Sequence, residues 1–198
     1  MKTKDDRPRA RRAWLPAACA ALALLLVPSW ALIGTGFVKG RGAFDQLNYH
    51  EQVVRTFAEQ LPTPDFHDYL SATTPGYHTV LAVVTRVISD ERQVLQWFGS
   101  LFTVALVVLL AWGVRGPPNA ASRRAAHPLV LVLPLAVSLA VFYSATWLLP
   151  DNAGWLGVLA VWLLALRPRF DAVTVVGGGL ALGALILVRQ IHLWPLAR

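Results

Sequence analysis

Residues 14 to 38 contain no charged side chain. A helix crosses a bilayer with about 20 apolar residues, so this run is long enough. Lys2, Lys4, Arg7, Arg9, Arg11 and Arg12 precede it. Basic residues in that position hold a helix start on the cytoplasmic side. Residues 1–13 therefore read as a cytoplasmic tail and 14–38 as the first transmembrane helix. A cleaved signal peptide is the rival, but Pro28-Ser29-Trp30-Ala31 lacks the small-x-small cleavage pattern.

Composition agrees with a membrane protein. Hydrophobic residues make up 56% and charged residues 15%, whereas soluble domains carry about 25% charged residues. That excludes a disordered chain and argues against a soluble enzyme. The net charge is +7. The basic residues sit in short clusters between apolar runs, so positive-inside loops account for them and no nucleic-acid partner is expected. The single cysteine, Cys19, excludes a disulfide framework and reads as a small core residue.

Four further apolar stretches follow: Val94 to Val114, Pro128 to Pro150, Asn152 to Leu166 and Ala172 to Val188. The last contains Gly177-Gly178-Gly179, a pattern expected for close helix packing. Residues 75–89 are apolar in part but short, and carry His78 and Arg86. If 75–89 stays out of the membrane, the short Arg-bearing loops at 115–127 and 167–171 share the N-terminal side. The positive-inside rule favours that arrangement.

The expected architecture is an all-α polytopic membrane protein with about five transmembrane helices. Residues 39–93 form an external loop with membrane-surface helices. Residues 94–198 supply transmembrane helices 2–5, at about 94–114, 128–149, 152–166 and 172–190. The turn at Leu149 to Asn152 and the tail from Arg189 lie outside.

Seven of the eleven acidic residues fall within 39–93. Residues 44–61 predict an amphipathic helix: Leu47, Val54, Phe57, Ala58 and Leu61 share one face at helical spacing. Asp45, Asn48, Tyr49 and Gln52 share the opposite face. Pro62-Thr63-Pro64 breaks the chain. Ser71 to His78 reads as a turn feeding a helix, capped by Ser71, Thr73 or Thr74, with Pro75 at the first helical position. His67 and His78 read as interfacial. No His/Asp/Glu spacing resembles a metal site, and Gly34-Thr35-Gly36 is not a phosphate loop. Neither a metal nor a cofactor is expected.

The segment Asp45-Gln46-Leu47-Asn48-Tyr49-His50-Glu51-Gln52, followed by Thr73-Thr74-Pro75-Gly76-Tyr77, resembles the first external loop of GT-C glycosyltransferases. It is similar above all to the α-1,2-glucosyltransferases that complete the dolichol-linked N-glycan precursor, and to their bacterial relatives. Arg189-Gln190 resembles a further pattern of that family. The sequence departs from the pattern at Gln46, where the family has Glu, and at Tyr49, where it has His. The resemblance implies a membrane hexosyltransferase that inverts at the anomeric carbon. The donor would be a polyprenyl-phosphate-linked sugar, and the acceptor an external glycan or lipid-linked glycan. It implies Asp45 as general base. Tyr49, Gln52, Thr74, Tyr77, Asp151, Arg189 and Gln190 would line the site, with Arg189 facing the leaving phosphate. GT-C enzymes have more spans than the five read here, so the chain reads as the N-terminal part of such an enzyme. Its Ala, Arg, Val and Leu usage suits the plasma membrane of a high-GC bacterium. A non-catalytic membrane scaffold or a transporter subunit is the alternative, although the spans hold few of the polar residues a transport path needs.

Overall fold

A computed structural model describes residues 14–67, 69, 73–114, 128–167 and 171–188. All regular secondary structure among them is helical. Helix α1 spans Trp14–Gly34 and α2 spans Arg41–Asp45. A π-turn at Gln46–His50 then runs directly into α3, Glu51–Gln60. The remaining helices are α4 (Gly76–Val87), α5 (Arg92–Gly113), α6 (Pro128–Ala136), α7 (Leu139–Thr146), α8 (Asp151–Ala165) and α9 (Ala172–Val188).

Two helices, α1 and α5, are long and apolar enough to cross a membrane. A third crossing is available if α7 and α8, bent by 117°, form one broken span. Helix α9 is apolar but has only 17 residues. Helix α4 has 12, about 18 Å of rise, which is short of the hydrocarbon thickness.

Helix α1 stops at Gly34 rather than continuing to Val38. The Gly36 N–H bonds to the Ile33 carbonyl at 2.9 Å, and the Phe37 N–H to the Leu32 carbonyl at 3.1 Å. Gly36 sits at φ +67. This is a Schellman stop, which needs a residue that tolerates the left-handed region. At the other end of the chain Asp171 caps α9: its Oδ1 accepts the Thr174 N–H at 2.9 Å.

The expected helix over 128–149 is not continuous. Ser138 takes extended angles between α6 and α7, consistent with its preference for helix starts over helix interiors. Trp147 is extended as well. Pro150 then disfavours helical angles at Leu149.

Helix α1 packs on α5, α6 and α7. Small residues allow the close approach: Ala18 and Ala21 face Val107, Ala111 and Ala136 in one buried cluster. A second cluster joins Val54 of α3, Tyr77 and Leu81 of α4, Leu95 of α5, Leu148, and Ala153 of α8. A third, of Val53, Phe57, Ala58 and Ala82, fixes α3 to α4. Two sequence expectations fail here. Cys19 is exposed on the outer face of α1, not in the core. Gly178 and Gly179 have open space around them. The tight contacts of α9 lie instead at Gly157, against Leu185, and at Gly76, against Leu187.

One end of the bundle gathers the loops. The Trp30 indole N–H donates to Ser100 Oγ at 3.0 Å, and Gln93 Nε2 to the Gly34 carbonyl at 3.3 Å. The end of α1 and the start of α5 therefore lie together. The turn at 147–150 and the end of α9 join them through α2 and α4.

Candidate functional site

The helix carrying Asp45 is fixed by its buried side. Gln46 is 0% exposed. Its Oε1 accepts from Gln96 Nε2 at 3.0 Å and from the Leu148 N–H at 3.1 Å. Its Nε2 donates to Glu51 Oε2 at 3.1 Å. Glu51 also accepts from Arg92 Nε at 2.7 Å and from Arg55 Nη2 at 2.9 Å. The Leu148 N–H needs this partner because the turn at 147–150 has left the helix ladder. Gly42, one turn before Gln46, lies against the Trp147 ring. The helix of Asp45 is thus seated on the turn that leads into Asp151.

Burial pushes the Glu51 carboxyl upward, but hydrogen bonds from Arg92, Arg55 and Gln46 outweigh it. The net direction is downward, so Glu51 is an anion at neutral pH.

The predicted polar face is present. Asn48, Tyr49 and Gln52 are exposed and Asp45 is half-buried. No ion pair or hydrogen bond to the Asp45 carboxylate is formed among the described residues. The predicted apolar stripe is present too: Val54, Phe57 and Ala58 are buried, and Leu47 and Leu61 half-buried. Hydrophobic spacing left out three members of the buried arc, Gln46, His50 and Glu51. They are polar, so a stripe of apolar residue types cannot reveal them.

His78 is not interfacial, as the sequence predicted, but 0% exposed. Its Nε2 lies 2.9 Å from Nδ1 of His50, and the rings stack at 5.2 Å. Phe57, Tyr69 and Tyr77 surround it. Burial first, and then the facing His50, push the His78 pKa down to about 3, against a weaker upward pull from the Thr74 carbonyl. A histidine held neutral in the fold stabilises most above its unfolded pKa. That stability falls as pH drops from about 6.5 toward 3, by up to about 1.4 kcal/mol per pH unit. We expect the wild type to lose about 2 kcal/mol between pH 7 and pH 5. This window lies above the range in which Glu51 titrates. Thermal unfolding in detergent checks it, and His78→Phe should flatten the slope.

The other predicted residues divide. Asp151 opens α8, and its Oδ2 accepts from Ser144 Oγ at 3.3 Å. Thr74 is half-buried and does not cap α4; Pro75 holds that position without a side-chain cap. Tyr77 is 1% exposed and belongs to the core rather than to an open site. A Cβ on Gly99 would come within 3.0 Å of its hydroxyl, so the glycine makes room for it. Gly76, beside Tyr77, abuts the Leu187 backbone, two residues before Arg189. Arg189 and Gln190 lie outside the described residues.

Between α5, α6 and α8 lies an apolar groove of about 240 Å³, lined by Leu106, Leu135, Trp155 and Trp162 among others. Among the described residues no three His, Cys, Asp or Glu side chains converge in a way that would hold a metal ion. No family model, curated protein or solved structure matches the chain.

Proposed function

We propose that the chain is a membrane hexosyltransferase. It moves a sugar from a polyprenyl-phosphate donor to an external glycan or lipid-linked acceptor, with inversion. In this reading α1, α5, α6 with α7, α8 and α9 thread a bacterial plasma membrane five times. Residues 39–93 face outside.

The observation that carries the proposal is the state of Asp45. Asp45 is half-buried and its carboxylate is unpaired among the described residues, on a helix whose other face is locked by Gln46 and Glu51. A general base must reach the acceptor hydroxyl, and a fixed platform holds it there. Asp45 takes the proton as the hydroxyl oxygen attacks the anomeric carbon. The bond from that carbon to the phosphate breaks on the opposite face, and polyprenyl phosphate leaves. Arg189 and Gln190, which follow α9 in sequence, would neutralise and hydrogen-bond the leaving phosphate. Tyr49, Gln52, Thr74 and Asp151 line the acceptor side. Tyr77 supports the 74–78 turn from within the core. The apolar groove beside α8 offers a surface for a hydrocarbon tail.

The test is transfer of labelled hexose from a polyprenyl-phosphate donor by the full chain in nanodiscs. Asp45→Asn should lower kcat about a hundredfold or more, with an unchanged melting temperature because the carboxylate has no partner to lose. Equal transfer by wild type and variant would remove Asp45 from the chemistry, and no transfer by the wild type would return the chain to the scaffold reading.

A further inference from the structure

We propose that Phe44 and Tyr49 form an aromatic corner that binds a neutral hexopyranose beside Asp45. The inference deepens the transferase reading and rests on it for the identity of the sugar as acceptor.

Phe44 is 56% exposed and Tyr49 is 40% exposed. Their rings meet edge to face, with centroids 6.3 Å apart and planes at 72°. The two rings thus form adjoining walls of a corner. Asp45 lies next to Phe44 in sequence, and Asn48 and Gln52 share its helix face. One N–H of each of these two amides is used on a backbone carbonyl. Asn48 Nδ2 donates to Phe44 O at 2.8 Å, and Gln52 Nε2 to Leu47 O at 3.0 Å. What remains for a ligand is one amide N–H on each side chain, with Asn48 Oδ1, Gln52 Oε1 and the Asp45 carboxylate as acceptors.

Amides and a carboxylate beside aromatic faces suit a ligand with many hydroxyls, which both donate and accept, and an apolar C–H face. A pyranose has both. The negative π-face attracts the positively polarised C–H edge, as it does the edge of a second ring. An anion would meet the Asp45 carboxylate. Arg41, a turn earlier, is not paired with Asp45 among the described residues. The corner therefore suits the uncharged acceptor, not the donor phosphate. Insertion of the two rings into lipid, as interfacial aromatics do, is the competing outcome.

The experiment is saturation-transfer NMR on the full chain in nanodiscs, with methyl glucopyranoside, mannopyranoside and galactopyranoside as probes. Transfer to ring C–H protons of at least one probe is expected. Phe44→Ala and Tyr49→Ala should each weaken it by about fivefold. Both rings are exposed, so an unchanged melting temperature separates this from misfolding. The proposal falls if no probe receives saturation, or if both variants bind as the wild type does. It also falls if brominated lipids quench a tryptophan placed by Phe44→Trp as strongly as those in the α5 span. The transfer assay, run beside the binding measurement, keeps the two readings apart. Binding that persists while the wild type transfers no sugar leaves the corner standing and removes the transferase. Transfer with an acceptor KM unaffected by Phe44→Ala does the reverse.

Discussion

Replacing Glu51 by Ala should destabilise the protein by about 2–4 kcal/mol, with the Asp45 helix the first part to loosen. The side chain of Glu51 is 5% exposed and holds two arginines and one amide. Removing one partner of a buried ion pair costs about 3–5 kcal/mol when the other charge is trapped. Here Arg55 and Arg92 are 40% and 41% exposed. Both can swing into water, so much of that penalty is relieved. Gln46 cannot follow, being 0% exposed. Its Nε2 loses its acceptor at a cost of about 1–3 kcal/mol. Glu51→Gln keeps the shape and one acceptor oxygen, and should cost less than half as much. Thermal unfolding of the two variants gives the ranking. A cysteine at Ala43, which is buried on the Asp45 helix, read by maleimide labelling after Cys19→Ala, reports the local loosening. If both variants melt with the wild type, the Glu51 network does not hold the site.

The same network has a pH signature. The Glu51 pKa is lowered in the fold, so its stabilisation is present above the unfolded value of 4.5. It is lost as pH falls through the folded pKa. Acid unfolding therefore has two stages. Below about 6.5 the unfolded chain takes up a proton at His78 that the fold refuses until about pH 3, and loss of the Glu51 ion pairs follows at lower pH.

Periodicity made part of this legible. The uncharged run at 14–38 predicted α1 because lipid demands length and apolarity together. The stripe at Leu47, Val54, Phe57 and Ala58 predicted the surface helix and placed Asp45, Asn48, Tyr49 and Gln52 on its polar side. Buried polar groups stayed hidden. Gln46 and Glu51 look solvent-exposed in any hydropathy reading. They are inside because Gln96, Arg92 and the Leu148 N–H, distant in sequence, satisfy them. The break at Ser138 was equally silent, since an apolar composition does not distinguish one helix from two. The role proposed for Asp45 rests on its motif and on its unpaired carboxylate among the described residues. No spacing rule alone distinguishes a catalytic carboxylate from a solvated one.

Glycine spacing misled for a related reason. Three consecutive glycines drew attention to α9, yet the close approach is made by Gly76. A Cβ there would lie 2.5 Å from the Leu187 carbonyl oxygen and 2.9 Å from its carbon. Both atoms are backbone, so no rotamer change relieves the clash. Helices α4 and α9 would have to separate. Gly76→Ala should therefore cost about 2–3 kcal/mol, typical of overpacking a tight contact, although Ala favours a helix by about 1 kcal/mol. Gly178→Ala should do the opposite. Its Cβ meets nothing within 4 Å, so only the helix preference remains, and the variant should gain about 0.5–1 kcal/mol. Thermal unfolding of the pair in one detergent compares them directly. Opposite signs would place the contact of α9 at the 74–78 turn, next to the chain that continues into Arg189 and Gln190. Equal signs would mean that α4 and α9 do not meet there, and the turn would lose its link to the Arg-Gln pair.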